Sequence, residues 1–217
     1  MTTHHDADEQ VEMAVRSLMR NYAAYLTALG KVVAIGDRAV PLLIKELDHK
    51  QANPMAKALG LLMDRPESEE AIPRLLDWVV AQAPVRQDAL EALLRAGDKV
   101  VPQLLDRLKR SAREEDDEAV RHLLDLGVQL PEHALGPIVK EVLVLLKHPN
   151  PHLREAAADA VWRLGLPHGA AAAESLRELS EADREAAVRS AAAEALRRLG
   201  LDKPASDSQP AKVVRVP

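Results

Sequence analysis

The residues whose types best suit metal chemistry are His148, His152 and Glu155, in an H-x3-H-x2-E spacing. Imidazole and carboxylate groups at such spacings bind zinc or iron when one helix presents them together. Pro149 and Pro151 interrupt the motif, and proline prevents that single-helix geometry. The chain contains no Cys, which excludes thiolate ligands and Cys nucleophiles. The sequence therefore predicts a loop at this place and assigns no catalytic residue, no cofactor and no metal.

Trp162 and Arg197 are the strongest candidates for binding a partner protein. Tryptophan and arginine are the residue types most enriched at interface hot spots. The other candidates belong to pairs of opposite charge spaced i,i+4 on one helix face, each worth roughly 0.2–0.5 kcal/mol. These pairs are Glu91 with Arg95, Arg121 with Asp125, Asp159 with Arg163, and Glu194 with Arg198. Because most of these arginines have a neighbouring carboxylate, a cationic groove for nucleic acid is not expected.

The helices that must position these residues are marked by recurring glycines. Glycine directly after an apolar run with helical spacing stops a helix, because it adopts the left-handed conformation at little cost. An alanine stands eight residues before each glycine, on the helix face that would meet a neighbouring helix. The glycines are Gly60, Gly97, Gly127, Gly165 and Gly200, and the alanines are Ala52, Ala89, Ala119, Ala157 and Ala192.

Between the glycines, a second marker recurs at Pro41, Pro73, Pro102 and Pro137. Proline is tolerated in the first turn of a helix, where few amide groups have partners. Asp37 and Asp98, each four residues before a proline, are predicted N-caps. Each repeat therefore reads as a helix A that begins near a proline, a turn, and a helix B that ends at a glycine.

Over residues 34–200 this pattern resembles the HEAT-repeat superfamily, and especially the short repeats of phycobilisome-lyase-type proteins. The segment Asn150–Ala157 is the closest single match. The resemblance implies an all-α α-solenoid in which the B helices line the concave face. It also implies that Arg86, Arg154 and Arg189, in the first turn of three B helices, bond to neighbouring loop carbonyls or acids.

The resulting domain prediction is one solenoid over residues 9–200, with about five helix pairs and an N-terminal helical cap at 9–36. Residues 1–8 and 201–217 are predicted to be disordered. The predicted repeats cover residues 37–64, 65–97, 98–130, 131–165 and 166–200.

Composition limits the setting and the partners. The 217-residue chain is 47% hydrophobic and 29% charged, with a net charge of −5 that disfavours polyanionic partners. Residues 1–10 are polar and acidic, unlike a signal peptide, and no apolar run is long enough to span a membrane. We therefore expect a cytoplasmic protein.

These observations favour a non-enzymatic scaffold that binds a partner protein on its B-helix face. Two alternatives are a HEAT-like DNA glycosylase and a bilin-lyase-like protein that handles a chromophore. The net charge argues against the first, and the 2% aromatic content argues against the second. HEAT-like di-iron enzymes carry repeated His-Glu dipeptides, which this chain lacks. The partner's identity and the oligomeric state stay open.

Overall fold

A computed structural model describes residues 3–18, 22–47, 53–81 and 86–202, and these residues form α-helices and short 3-10 turns without any β-strand. The prediction of an all-α fold is confirmed. The helices are α1 (Thr3–Ser17), α2 (Tyr22–Ile35), α3 (Val40–Glu46), α4 (Asn53–Gly60), α5 (Ile72–Val80), α6 (Arg86–Ala96), α7 (Val101–Arg113), α8 (Asp117–Gly127), α9 (Leu135–Leu145), α10 (Pro151–Leu164), α11 (Ala173–Ala182) and α12 (Ala186–Leu199).

The chain divides into two compact units, residues 1–138 and 139–217. In the first unit, consecutive helices pack in pairs, and α4 of one pair packs on α6 of the next. In the second unit, α10 and α11 both pack against α12. Helix pairs stacked side by side in this way are the building plan of an α-solenoid.

The predicted alanine row lies between packed helices. Ala89, Ala119, Ala157 and Ala192 are almost completely buried, whereas Ala52 lies outside the described residues. Alanine at such positions lets two helix backbones approach closely. Trp78 is also buried, at 8% exposure, in agreement with a packing role. The core therefore follows the spacing that the sequence predicts.

The A helices begin near their prolines as predicted, but Asp37 and Asp98 are not N-caps. Both lie inside 3-10 turns, Gly36–Ala39 and Gly97–Val100, and neither turn has a side-chain cap. Each turn runs directly into its helix, so preceding carbonyl groups already accept from the first amides. The aspartate side chains have no amide left to cap.

The glycines that mark the repeats have two different structural roles. Gly97, Gly165 and Gly200 have positive φ and stop their helices as predicted. Gly60 and Gly127 are instead the last residues of α4 and α8 and have no positive φ. A Cβ on Gly60 would lie 3.3 Å from Ala92, and one on Gly127 would lie 3.1 Å from a methyl group of Ile138. There the glycine permits close packing.

Helix α1 begins at Thr3, which differs from the prediction of disorder over residues 1–8. Acidic residues near the start of a helix are favoured by its dipole, and Asp8 also accepts a hydrogen bond from Arg38 at 3.4 Å. The predicted disordered tail falls, from residue 203 onward, outside the described residues. No helix in the described part of the chain combines the length and the apolar character that crossing a bilayer requires.

Candidate interaction surface

Six of the eight predicted partner-binding residues lie on two adjacent helices of the second unit. Helix α10 carries three of them and α12 carries the other three: Asp159, Trp162, Arg163, Glu194, Arg197 and Arg198. The remaining two, Arg95 and Arg121, lie on α6 and α8 of the first unit. The six residues on α10 and α12 are called the Trp–Arg surface below.

A cation–π contact joins the two helices of the Trp–Arg surface. The guanidinium carbon of Arg198 lies 4.2 Å from the centroid of the Trp162 ring. Glu194 holds this guanidinium in place, because its Oε1 accepts a hydrogen bond from Nε of Arg198 at 2.6 Å. A cation on the face of an indole ring is attracted by the ring's quadrupole, so the contact holds both groups in a fixed orientation.

Glu194 is shared by two arginines. Arg197 donates from Nε and Nη2 to the two carboxylate oxygens, at 2.8 and 2.6 Å. These hydrogen bonds from Arg197, followed by the bond from Arg198, lower the pKa of Glu194 to about 2. The carboxylate therefore stays ionised at every physiological pH, and the three side chains together carry one excess positive charge.

Exposure makes this charge available to a partner. The Arg197 side chain is 65% exposed and that of Arg198 is 46% exposed. Trp162 is half-buried, so part of this residue is accessible to solvent. Asp159 and Arg163 also take part in polar or electrostatic interactions and are not free.

A nearly buried ion pair sets the positions of α10 and α12. Arg154 donates from Nε and Nη2 to the two carboxylate oxygens of Asp183, at 2.7 and 2.8 Å. Its Nη1 also donates to the carbonyl oxygens of His148 and Pro149, both at 2.8 Å. The guanidinium thus ties the turn before α10 to the turn before α12.

The same aspartate serves a second arginine through its backbone. Arg189 donates from Nη1 to the carbonyl oxygens of Asp183 at 2.7 Å and Arg184 at 3.0 Å. The role that the family resemblance implied for Arg154 and Arg189 is therefore present, and their acidic partner, Asp183, is a residue that the sequence analysis did not single out. Its only sequence signal is its place just before α12, six residues ahead of Arg189.

The predicted charge pairs of the first unit are not all formed. Glu91 accepts a hydrogen bond from Gln87 at 3.2 Å, and Arg95 forms no ion pair with any described residue. An i,i+4 ion pair is worth only a few tenths of a kcal/mol, so a neighbouring amide competes with it successfully. Arg121 and Asp125 are half-buried and both engaged in interactions.

Only His148 of the histidine motif lies in the predicted loop, because His152 and Glu155 belong to the start of α10. Nδ1 of His148 accepts a hydrogen bond from the amide of Asn150 at 3.2 Å, and His152 lies 4.0 Å from Glu155. Within the described ranges, no three His, Asp or Glu side chains are grouped so that they could hold a metal ion.

Three further concave surfaces lie within single units. A groove of about 650 Å³ runs between α1 and α2, and a smaller pocket of about 190 Å³ lies between α5 and α7. In the second unit, a shallow groove lies between α9 and the start of α11, where Val144 is 60% exposed. The sequence analysis did not predict any of these, because each is formed by residues that are far apart along the chain.

Comparison with known proteins gives a matching family model and several matching solved structures. Residues 101–197 match the model of the HEAT repeats. No curated protein matches the sequence. Among solved structures, the chain is similar to human deoxyhypusine hydroxylase in complex with glycerol, with 15% identity, a TM-score of 0.43, and coverage of 91% of this chain and 98% of that chain. At this identity and TM-score, the likeness transfers neither an activity nor a ligand.

The prediction of a purely non-enzymatic scaffold is nevertheless wrong as it was made. It rested on the net charge, the low aromatic content and the lack of His-Glu dipeptides, yet a similar solved structure is that of a hydroxylase. One fold can host both binding proteins and enzymes, so the architecture does not choose between them. The family match supports the predicted repeat type, because residues 101–197 match the model of the HEAT repeats.

Proposed function

We propose that the chain binds an acidic segment of a partner protein at the Trp–Arg surface. The observation that carries the proposal is the sharing of Glu194 by Arg197 and Arg198 beside the ring of Trp162. The proposal concerns binding alone and holds whether or not the chain also catalyses a reaction.

The excess positive charge of Arg197, Arg198 and Glu194 favours an acidic partner. Each guanidinium has five N–H donors, and Glu194 accepts from only some of them. The remaining donors of Arg197 and Arg198 are not bonded to any described residue. Carboxylates of a partner can accept from these groups bidentately, which is the strongest hydrogen-bonding mode open to arginine.

The tryptophan provides the apolar part of the contact. Arg198 covers the face of Trp162, and the stem of this arginine is itself apolar. A partner side chain that packs against the solvent-accessible part of Trp162 would bury apolar area next to the charge contact. We therefore expect the preferred ligand to combine Asp or Glu with a large apolar residue, as hot-spot contacts commonly do.

The test uses defined peptides. Fluorescent peptides of equal length, with acidic, neutral or basic residues around one leucine, are titrated with the protein, and binding is read by anisotropy. Wild type is expected to prefer the acidic peptides, and the affinity should fall as salt is added. The double variant Trp162→Ala, Arg197→Glu should lose this preference.

A charge-matched control separates the surface from the net charge. Arg184 is exposed in the same unit and lies outside the Trp–Arg surface, so Arg184→Glu should leave binding nearly unchanged. All variants must show the helicity and melting temperature of wild type. If the basic peptides bind as well as the acidic ones, or if both variants weaken binding equally, the proposal is refuted.

A further inference from the structure

Helix α2 contains a glycine that no contact with the described residues requires. Gly30 lies in the interior of α2 (Tyr22–Ile35), and its φ is not positive. A Cβ built on Gly30 would meet no described atom within 4 Å. Glycine in the middle of a helix is destabilising relative to alanine, because it has more backbone freedom to lose. A close approach from outside the molecule would account for it.

The surroundings of Gly30 support such an approach. Leu26 and Val33 lie on the same helix face, at spacings of four and three residues, and are 55% and 37% exposed. Next to this face runs the groove between α1 and α2, which is lined largely by Ala, Met and Ile side chains. Met13 on its rim is 57% exposed. Large apolar side chains so close together on a surface indicate an interaction site.

The charges at this face indicate which partner fits. Lys31 lines the groove on α2, and Glu9 lies one turn before Met13 on α1. Both side chains are exposed, and neither forms an ion pair with a described residue. An identical face turned around a two-fold axis would offer a glutamate to each lysine and a lysine to each glutamate.

We propose that the α1–α2 face binds the same face of a second copy of this chain. The two α2 helices cross at Gly30, where the missing side chains let the backbones approach. Leu26 and Val33 of each copy then pack on both sides of the crossing, as ridges into grooves. Such an isologous contact is self-complementary, which is the commonest form of protein dimer.

The test measures self-association by sedimentation equilibrium of the full chain over a wide range of concentration. Wild type is expected to dimerise. Gly30→Ala should weaken dimerisation by roughly tenfold or more, because the added methyl groups separate the helices. The same change should raise the melting temperature of the monomer, because alanine is the better helix former.

Opposite effects on association and on monomer stability would not arise from a purely structural role. The matched control is Gly136→Ala, because Gly136 is also a helical glycine with no described atom near its absent Cβ. It should leave association unchanged. Lys31→Glu should weaken the dimer, and adding Glu9→Lys to it should restore the dimer by exchanging the two charges.

Three outcomes overturn the proposal. One is that sedimentation equilibrium shows a monomer at all concentrations, which would mean that the face binds another protein or no protein. Another is a dimer that tolerates both Gly30→Ala and Leu26→Glu, which would place the contact elsewhere. The third is a failure of the charge exchange to restore association when the monomer is folded by circular dichroism.

Discussion

Replacing Asp183 with alanine is expected to lower the free energy of unfolding by about 3–5 kcal/mol, the range measured when one partner of a buried ion pair is removed. The Arg154 side chain is 14% exposed and that of Asp183 is 5% exposed, so the change leaves a nearly buried guanidinium without its counterion. Two hydrogen bonds from Arg154, of 2.7 and 2.8 Å, are lost with the carboxylate, and so is a third of 3.0 Å from the backbone amide of Glu185. At about 1.5–3 kcal/mol for each bond to a charged group, the two bonds from Arg154 alone give a loss of the same size.

Urea unfolding followed by far-UV circular dichroism measures this loss. The slope of the transition should stay unchanged, so that the shift in midpoint reports stability. An exposed pair provides the control: Lys99 lies 3.3 Å from Glu69, and their side chains are 32% and 47% exposed. Glu69→Ala should cost less than about 1 kcal/mol, because solvent screens such pairs.

A double-mutant cycle tests the assignment of the loss to the pair itself. Arg154→Met also removes the donors to two loop carbonyl groups, so alone it should cost at least as much as Asp183→Ala. The double variant should cost less than the sum of the single changes, by about 0.5–3 kcal/mol. The reasoning is refuted if Asp183→Ala costs no more than the exposed control, or if the two changes are additive.

The remaining predictions concern acid and three glycines. The hydrogen bonds from Arg154 lower the pKa of Asp183 below its ordinary 3.8, so the pair's contribution to stability is complete above that pH and is lost as the pH falls through the folded-state pKa. When the free energy of unfolding is measured at decreasing pH, the value for Asp183→Ala should therefore approach that of wild type. A difference that stays constant with pH would contradict this prediction. A Cβ on Gly169 would lie 2.7 Å from a methyl carbon of Leu199, so Gly169→Ala should cost about 1–3 kcal/mol by urea unfolding, and a neutral result would show that Leu199 moves freely. Gly165 has φ 67° and ψ −175°, which only glycine adopts readily, whereas Gly200 has φ 68° and ψ 26°, which asparagine tolerates. Gly165→Asn should therefore lower the melting temperature more than Gly200→Asn. The reverse order would contradict this explanation.

The helices were predictable because glycine and proline act through the local backbone. The first turns of α3, α5 and α7 contain Pro41, Pro73 and Pro102. This is expected because proline has no N–H to donate, and the amides of a first turn have no partner within the helix. The misassigned Asp37 and Asp98 show the limit of local rules. An aspartate caps a helix when its own backbone lies outside the helical region, as Asp116 does before α8, whereas Asp37 and Asp98 lie within 3-10 turns.

The contacts that build the candidate surface were less predictable, because they join residues of different repeats. Sequence spacing placed Arg163 and Trp162 next to each other, yet the cation on the ring is Arg198 of the next B helix. Likewise the partner of Arg154 is Asp183, twenty-nine residues later. Local periodicity shows which residues share a helix face, but the facing helix decides which of them meet.

Repeat register nevertheless contains the missing information. Counted back from the glycine that ends each B helix, Trp162 is at position −3 from Gly165 and Arg198 is at position −2 from Gly200. Their contact therefore means that position −3 of one repeat faces position −2 of the following repeat. In earlier repeats position −3 is Leu94 or Leu124, which favour packing without attracting a cation. Trp162→Leu should therefore preserve the stacking of α10 on α12 while it releases Arg198 from the ring. Loss of acidic-peptide binding at unchanged stability would separate recognition from packing at this position, whereas equal losses of both would show that the tryptophan serves the core.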